Sequence, residues 1–449
     1  MLLKPLKPVC RATDQAKQLS KPELNQIRDC DRAAHQWYRF VLSFPPHLVQ
    51  TYVERFAIEP HQQLLDPFCG TGTTVVEGKK LGISSVGIEA NPMAWFAGTV
   101  KLDWTPNPDA LVRVANEVAM AANTIIQQFE QDARPLCTLS AESHQMLLQN
   151  SISPVPLHKT LVLLEQIKHQ VHPSYARHLQ LAVAKALIAA ISNLHFAPEV
   201  SVGKPKLDAP VIEAWLKEVM RMTEDLQQLQ ALDSTPANIY RADSRQMVGV
   251  LNSNSIDAVI TSPPYPNEKD YTRTTRLESV LLGFIQTKAE LRLLKQGLLR
   301  SNTRNVYKAD TDDQWVTKHT EIQRIANAIE ERRIALGKTS GFERLYHRAV
   351  KLYFGGMAKH LADLRSILRP GAQLAYVVGD QKSYLQVMIR TGELLGDIAQ
   401  GLGYELVDID LFRTRIATAT KEQMREEVVL LRWPGKTPAH PYPFSDRTL

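Results

Sequence analysis

A glycine-rich segment, Asp66–Thr73 (DPFCGTGT), lies between a predicted strand and a predicted helix. Gly70 and Gly72 allow the backbone to turn tightly and allow a ligand to approach without a Cβ in its path. The G-x-G spacing lacks the third glycine of a dinucleotide-binding loop, and the segment lacks the lysine of a P-loop. Glu89 ends the next predicted strand, where a carboxylate can accept hydrogen bonds from ribose hydroxyls. These residues predict a site for a nucleoside cofactor.

A second segment, Thr261–Tyr265 (TSPPY), directly follows the buried-strand pattern of residues 256–260. Two prolines end the ladder of hydrogen bonds and fix a rigid extended loop, whose carbonyl groups remain as acceptors. Such acceptors, together with the Ser262 hydroxyl, suit the exocyclic amine of a planar base, on which Tyr265 can stack. Pro263 and Pro264 alone would indicate only the end of a strand. Tyr265 and the upstream glycine loop favour a binding site.

The elements around these two segments form a pattern of alternating strands and helices. A strand at Leu64-Leu65, a helix over Thr73–Leu81 and a strand over Ser85–Glu89 form a βαβ unit, which predicts a parallel sheet with right-handed crossovers. The Pro45-Pro46 pair can begin a helix ahead of this unit. Later strands are predicted at Ala237–Arg241 and in YELVDIDLF, EEVVLLRW and QLAYVVGD, the last after a turn at Arg369–Gly371; helices are predicted at Phe354–Leu368 and Thr391–Gly401.

Two stretches do not fit this alternation. Residues 105–235 have helical periodicity and no alternating strand pattern. Residues 267–344 are also helical, and they carry 15 Lys and Arg residues against 11 Asp and Glu residues. We therefore interpret both stretches as helical insertions, of which the second is basic.

The composition excludes several classes of protein. The chain has 449 residues, of which 44% are hydrophobic and 22% are charged, and its net charge is +6. This composition is typical neither of a disordered chain nor of a collagen-like one. Four cysteines are too few for a disulfide scaffold, and none has zinc-site spacing, so we expect no metal. The N-terminus lacks a signal-peptide core, and no window reaches the ~18 apolar residues of a membrane span. We expect a soluble, cytoplasmic protein.

At these residues the chain resembles the S-adenosylmethionine-dependent amino-methyltransferases of DNA. DPFCGTGT resembles their motif I, Glu89 their motif II and TSPPY their motif IV. Asp243, in NIYRADSRQM, resembles motif III, and WYRFVLSFPPHLV resembles motif X. LADLRSILRPGAQLAYVVGD is similar to the helix, turn and strand that follow the catalytic strand. The resemblance covers residues 37–104, 236–266 and 345–433.

The resemblance implies an α/β fold: a Rossmann-like class I methyltransferase core with a mostly parallel, doubly wound, seven-stranded sheet and two mainly helical insertions. It implies S-adenosyl-L-methionine as cofactor and double-stranded DNA of a prokaryotic chromosome as partner, in a restriction-modification setting. The target base would leave the helix and enter the site. The implied catalytic residues are Ser262, Pro263, Pro264 and Tyr265; the implied cofactor-binding residues are Asp66, Phe68, Gly70, Gly72, Thr73, Glu89, Asn91 and Asp243.

The resulting division of the chain alternates core segments with insertions. It consists of an N-terminal arm (1–36), the first core segment with motifs X, I and II (37–104), the helical insertion (105–235), the second core segment with motifs III and IV (236–266), the basic insertion (267–344), the third core segment (345–433) and a C-terminal tail (434–449). The basic insertion is the candidate for contacting DNA because phosphates attract cations. Within it, Tyr271, Arg273 and Arg276 are the candidate substrate-binding residues, followed by Arg300, Arg304 and Lys308.

Several alternatives remain open from the sequence. SPPY favours the N4 amine of cytosine, with the N6 amine of adenine as an alternative. A tRNA guanine-N2 methyltransferase also carries a DPFCGTGT-like segment. A methyltransferase acting on protein would have asparagine in place of Ser262, and a cofactor-binding protein without activity would not need the intact SPPY residues. The oligomeric state and the recognition sequence are left open.

Overall fold

The computed structural model describes residues 25–40, 43–196, 199–232, 234–267, 269–416 and 422–437. Most of the predicted N-terminal arm, residues 1–24, and most of the tail, residues 438–449, lie outside this range. So do Val41 and Leu42 of the segment similar to motif X. Among the described residues, no helix is long and apolar enough to cross a membrane.

A seven-stranded sheet forms the centre of the molecule, and a separate hairpin consists of two short strands. In the large sheet the strand order is β5-β2-β1-β6-β7-β9-β8, and only β9 runs antiparallel to its neighbours. The strands are β1 (Gln63–Asp66), β2 (Ser84–Ile88), β3 (Leu194–Phe196), β4 (Val200–Val202), β5 (Ala237–Tyr240), β6 (Ile256–Thr261), β7 (Leu368–Gly379), β8 (Glu405–Ile416) and β9 (Gln423–Arg432).

Helices cover both faces of this sheet and build the two insertions. They are α1 (Pro46–Arg55), α2 (Thr73–Lys80), α3 (Pro92–Leu102), α4 (Pro108–Gln131), α5 (Ala141–Met146), α6 (Pro154–Gln170), α7 (Pro173–Ala186), α8 (Val211–Leu229), α9 (Tyr271–Thr274), α10 (Arg276–Leu281), α11 (Lys288–Gly297), α12 (Thr320–Ala335), α13 (Tyr346–Leu364) and α14 (Thr391–Gly401). Helix α1 begins at the second proline of the Pro45-Pro46 pair, as predicted.

The strand order reverses at β1, which lies between β2 and β6. Both the glycine loop and the SPPY segment follow the carboxyl ends of these central strands, where open α/β sheets bind ligands. Successive side chains of β1 enter different cores: Leu64 packs with α1, whereas Leu65 packs with α13. The sheet is therefore buried on both faces, and the predicted Rossmann-like α/β fold with a mostly parallel, doubly wound, seven-stranded sheet is confirmed.

The predicted turn at Arg369–Gly371 is wrong. These residues belong to β7, which begins at Leu368. The β6–β7 pairing shifts its register between Ile256 and Ala258, and Gly371, at φ +89°, donates its N–H to the carbonyl of Trp433 at 2.7 Å. The Pro370-Gly371 pair thus marks an irregularity in the pairing of β6 with β7, although the same dipeptide is also typical of a turn between a helix and a strand.

The first insertion is fused to the core rather than separate from it. Trp215 of α8 and Leu163 of α6 share one buried cluster with Val76 and Phe96 from α2 and α3. The insertion also contains the β3–β4 hairpin, which the sequence did not predict because each strand has only three residues. This hairpin reaches the cavity described below.

The second insertion packs closely against α13 at two adjacent glycines of that helix. A Cβ placed on Gly355 would lie 1.8 Å from the carbonyl oxygen of Asp312, and one on Gly356 would lie 2.5 Å from the Leu299 side chain. The segment around residue 312 can therefore pass directly over the helix backbone. This close approach positions residues 297–305 beside the carboxyl end of the sheet.

Candidate active site

A cavity of about 630 Å³ opens at the carboxyl ends of the central strands. Its walls come from the glycine loop, the SPPY loop, both insertions and the β8–β9 hairpin. Of the residues predicted to bind cofactor or substrate, the lining includes Phe68, Gly70, Thr73, Glu89, Asn91, Asp243, Ser262, Pro263, Pro264, Tyr265 and Tyr271. The structure thus brings residues that are far apart in sequence into one site.

The glycine loop is open toward the cavity. Gly70 has φ +53°, and no atom lies within 4 Å of the position a Cβ would take. Gly72, at φ +89°, precedes the first residue of α2, and a Cβ placed on it would lie 3.4 Å from the Cα of Gly98. The left-handed conformation at both positions favours glycine, and Gly70 leaves a cradle that a Cβ would narrow.

Asp66 lies behind this loop and is fully buried rather than on the cavity wall. Its Oδ1 accepts hydrogen bonds from the Thr261 hydroxyl at 2.5 Å and from the Phe68 N–H at 3.1 Å. Burial raises the pKa of Asp66 to about 6. Asp66 therefore ties the ends of β1 and β6 together, which fixes the glycine loop relative to the SPPY loop.

Glu89 occupies the position expected for a carboxylate that binds ribose. Its two oxygens accept hydrogen bonds from the backbone N–H groups of Gly70 and Asn91, each at 2.7 Å. These bonds orient the carboxylate, and each oxygen keeps a second lone pair for a ligand hydroxyl. Burial raises the pKa of Glu89 to about 7. Asn91 itself caps α3 by accepting from the Met93 N–H at 3.0 Å.

Asp243 lies shortly after the end of β5 and is held by a buried arginine. Arg245 donates to both of its oxygens, from Nε at 3.0 Å and from Nη2 at 2.6 Å, and reaches Asp312 through Nη1 at 2.6 Å. The two carboxylates raise the pKa of Arg245, although burial opposes them. The carboxylate of Asp243 is thereby fixed in direction, and the same arginine connects it to the second insertion.

The SPPY loop follows β6 and is braced by β7. The Ser262 hydroxyl donates to the Val377 carbonyl at 3.1 Å. The Tyr265 ring packs over Gly379, where a Cβ would lie 3.1 Å from its Cε2 atom. Burial, followed by the Glu426 carboxylate, raises the pKa of Tyr265, so the phenol stays protonated. Gly379 therefore makes room for the ring that the sequence predicts to stack on a base.

The candidate substrate-binding residues of the basic insertion differ in where they lie. Tyr271 lines the cavity, whereas Arg273 and Arg276 are not among its lining residues. Arg276 donates to the Thr272 carbonyl and hydroxyl and to the Met146 carbonyl, which joins the two insertions. Arg300 is buried and paired with Asp310 at 2.8 Å. These last two arginines are thus occupied by contacts within the protein.

Sequence reasoning missed several charged residues of the cavity, namely Glu199, Lys269, Arg413, Arg415 and Glu426. Apart from Lys269, which follows TSPPY closely, these residues lie far from the recognised motifs in sequence, and all five meet only through the folding of the chain. The alternation in FRTR, which puts Arg413 and Arg415 on one face of β8, was the available signal.

Cys69 also lines the cavity but is buried, and burial raises its pKa well above the usual range. A thiol in this state is a poor nucleophile. In the part of the chain that the structure describes, no group of three or more His, Cys, Asp or Glu residues is placed to hold a metal ion. The cavity therefore presents polar positioning groups around the open glycine cradle, which fit a nucleoside cofactor.

Comparisons with known proteins agree with this geometry. The family model N6_N4_Mtase, described as DNA methylase, matches residues 13–95. The type II methyltransferase M.BsoBI of Geobacillus stearothermophilus is 26% identical over 433 residues, covering 90% of this chain and 84% of that protein. The type II methyltransferase M.AvaI of Nostoc sp. is 22% identical over 446 residues, covering 89% and 86%.

Two solved structures align with most of the chain, both at low TM-scores. TrmN from Thermus thermophilus aligns with 90% of this chain and 53% of its own, at 10% identity and a TM-score of 0.31. The rRNA methyltransferase aviRa from Streptomyces viridochromogenes aligns with 93% and 95%, at 11% identity and a TM-score of 0.30. Similarity this low does not bear on the substrate.

Proposed function

Because the chain belongs to the S-adenosylmethionine-dependent DNA amino-methyltransferases, we propose that it methylates the N4 amine of a cytosine in duplex DNA. The observation that carries this proposal is the placement of TSPPY. Its last four residues, Ser262–Tyr265, line the same cavity as the glycine loop, Glu89 and Asp243. An amine held by the SPPY loop therefore meets a donor held by the neighbouring strands.

S-adenosylmethionine supplies an electrophilic methyl group, and the residues on the β5–β2–β1 side would hold it. Glu89 would accept hydrogen bonds from the ribose hydroxyls, since its carboxylate is oriented by two backbone N–H groups. Asp243 would accept a hydrogen bond from the adenine amine, and Arg245 keeps its carboxylate in place. Gly70 would let the cofactor approach the backbone, because the space beside its Cα is open.

The SPPY loop would bind the target amine. The carbonyl of Pro263 and the Ser262 hydroxyl, both on residues that line the cavity, would accept its hydrogens and so direct the nitrogen lone pair toward the methyl group. Tyr265 would stack on the base, since its ring is fixed against Gly379. A base inside this cavity cannot remain paired in a duplex, so the nucleotide would be flipped out. Catalysis would then depend mainly on positioning.

Ser262 at the first position of the motif favours cytosine over adenine as the target. The experiment that tests the substrate class offers radiolabelled S-adenosylmethionine with duplex DNA, tRNA and a protein mixture. We expect label in duplex DNA. Label only in tRNA would contradict the proposal and would support a guanine-N2 methyltransferase. Label only in protein would contradict it as well.

A variant separates binding from transfer within the same assay. Tyr265→Ala should abolish methyl transfer while cofactor affinity stays unchanged, because the ring is expected to contact the base and not the cofactor. Calorimetry with S-adenosylmethionine provides the affinity. Turnover at the wild-type rate in this variant would contradict the stacking role.

A further inference from the structure

Five charged residues line one side of the cavity, and the proposed transfer uses none of them. Lys269, Arg413 and Arg415 are cations, and Glu199 and Glu426 are carboxylates. They come from three separate regions of the chain: the β3–β4 hairpin of the first insertion, the loop after TSPPY, and the β8–β9 hairpin. The cations outnumber the carboxylates, so this side of the wall is positive.

Glu426 is the centre of this cluster. It lies opposite Gly379 in the β7–β9 ladder and is therefore next to the Tyr265 ring. Arg413 donates from Nε to Oε2 of Glu426, and the Nε of Arg415 lies 3.5 Å from Oε1. One buried carboxylate thus accepts a hydrogen bond from Arg413 and attracts the guanidinium of Arg415, beside the proposed base-binding tyrosine.

Both arginines retain unused donors. Arg415 also donates from Nη2 to the Asp380 carbonyl at 2.9 Å, and its Nη1 has no hydrogen-bond partner among the described residues. Neither Nη atom of Arg413 has such a partner within the same described ranges. Because a guanidinium has five N–H donors, Arg413 can keep its hydrogen bond to Glu426, Arg415 can keep its ion pair with the same carboxylate, and both can still bind an anion.

Lys269 adds a third cation four residues after Tyr265. Burial and the charge of Arg415 lower the pKa of its ammonium group, while Glu199 and Glu426 oppose that effect. No carboxylate of the described residues lies within 4.0 Å of the ammonium nitrogen. The β3–β4 hairpin supplies Glu199 as a distant counter-charge only, so an anion would relieve the repulsion between Lys269 and Arg415.

The sheet order gives the position of this cluster relative to the cofactor residues. Glu89 and Asp243 follow β2 and β5 on one side of the sheet, whereas Arg413 and Arg415 lie near the carboxyl end of β8 at the opposite edge. The SPPY loop, after β6, lies between them. A nucleotide whose amine faces the cofactor must extend its sugar and phosphates away from the cofactor, which is toward β8.

We propose that Lys269, Arg413 and Arg415 form the binding site for the phosphates on either side of the flipped nucleotide. This inference rests on the proposed function and extends it to the DNA backbone. Guanidinium groups bind phosphate oxygens through paired hydrogen bonds, and Glu426 holds them ready before DNA arrives. The contacts determine how the nucleotide is positioned and carry no sequence information.

The test combines variants with altered DNA. After the methylated site has been mapped, a short duplex carrying it is compared with the same duplex in which neutral methylphosphonates replace the two phosphates flanking the target. Arg413→Gln and Arg415→Gln are the variants. The control is Arg432→Gln, since Arg432 lies at the far end of the same hairpin and is exposed, 4.0 Å from Glu405.

For the wild type and the control we expect the neutral linkages to raise KM about ten- to a hundredfold, the loss typical of charge-assisted contacts. In each variant, KM for the ordinary duplex should be raised by a comparable factor. Replacing the phosphates by neutral linkages should then raise the KM of that variant only slightly further. The salt dependence of binding should also become shallower by about one counter-ion per lost contact.

Two outcomes would overturn the inference while leaving the proposed function intact. In the first, the wild-type protein methylates both duplexes equally well. In the second, the neutral linkages raise the KM of an arginine variant by as much as they raise the KM of the wild type. Absence of label from any DNA would instead overturn the proposed function and this inference together. If a glutamine variant does not fold, Arg413→Lys and the neutral duplex with unmodified protein still decide the question.

Discussion

Replacing Gly379 by alanine should displace the Tyr265 ring. The added Cβ would lie 3.1 Å from Tyr265 Cε2 and 3.3 Å from Glu426 Cγ. Carbon atoms pack best at about 3.5–4.0 Å, so the ring must move by roughly half an ångström. A misplacement of about 1 Å can lower a rate about a hundredfold, and we therefore expect a loss of about tenfold in kcat.

The assay is single-turnover methyl transfer to duplex DNA at saturating S-adenosylmethionine. Gly341→Ala is the matched control, because its added Cβ has open space and should leave the rate unchanged. Cofactor affinity should remain that of the wild type, since Gly379 is remote from Glu89 and Asp243 in the sheet order. Wild-type transfer by Gly379→Ala would refute the reasoning that the ring must keep its position against β7.

Three further changes test other regions of the site. Glu89→Gln should weaken S-adenosylmethionine binding at pH 8. Because the pKa of Glu89 is raised to about 7, the affinity of the wild type should fall as the pH drops from 8 to 6 and the carboxylate is protonated. Calorimetry of the variant should show an affinity that does not change over the same pH range. Arg245→Met removes the buried cation that two partly buried carboxylates share, and it should lower the free energy of unfolding in urea by about 3 kcal/mol, the low end for a broken buried pair, because Asp312 keeps Lys359 at 3.7 Å. Arg324→Met, at an exposed ion pair, should cost much less, and equal losses would refute the burial argument. Cys69→Ala should retain methyl transfer, and a complete loss of transfer would imply a covalent role.

The motifs made the central region of the fold predictable. Glycines, prolines and carboxylates at fixed distances along the chain are local signals, and each lies at the end of a strand that the hydrophobic pattern indicates. The sequence therefore predicted which strands end at the cavity. Thr391–Gly401 was predicted with its observed bounds as a helix, because its ends coincide with changes in periodicity.

Long-range contacts were not predictable in the same way. Asp66 is within the recognised motif, yet its carboxylate bonds to Thr261 behind the loop. Arg413 meets Glu426 only because β8 pairs with β9, and that register depends on the whole hairpin. The β3–β4 hairpin is too short to give a periodic signal. Local patterns in one sequence do not indicate which distant residues will pair in the folded chain.

Mass spectrometry of the nucleosides from duplex DNA, after incubation with the protein and S-adenosylmethionine, tests the central claim most directly. We predict N4-methylcytosine, produced by the wild type and absent with Tyr265→Ala. N6-methyladenine in its place would contradict the assignment of cytosine while keeping DNA as the substrate. Unmodified DNA, alongside methylated guanine in tRNA, would contradict the account of the substrate as a whole.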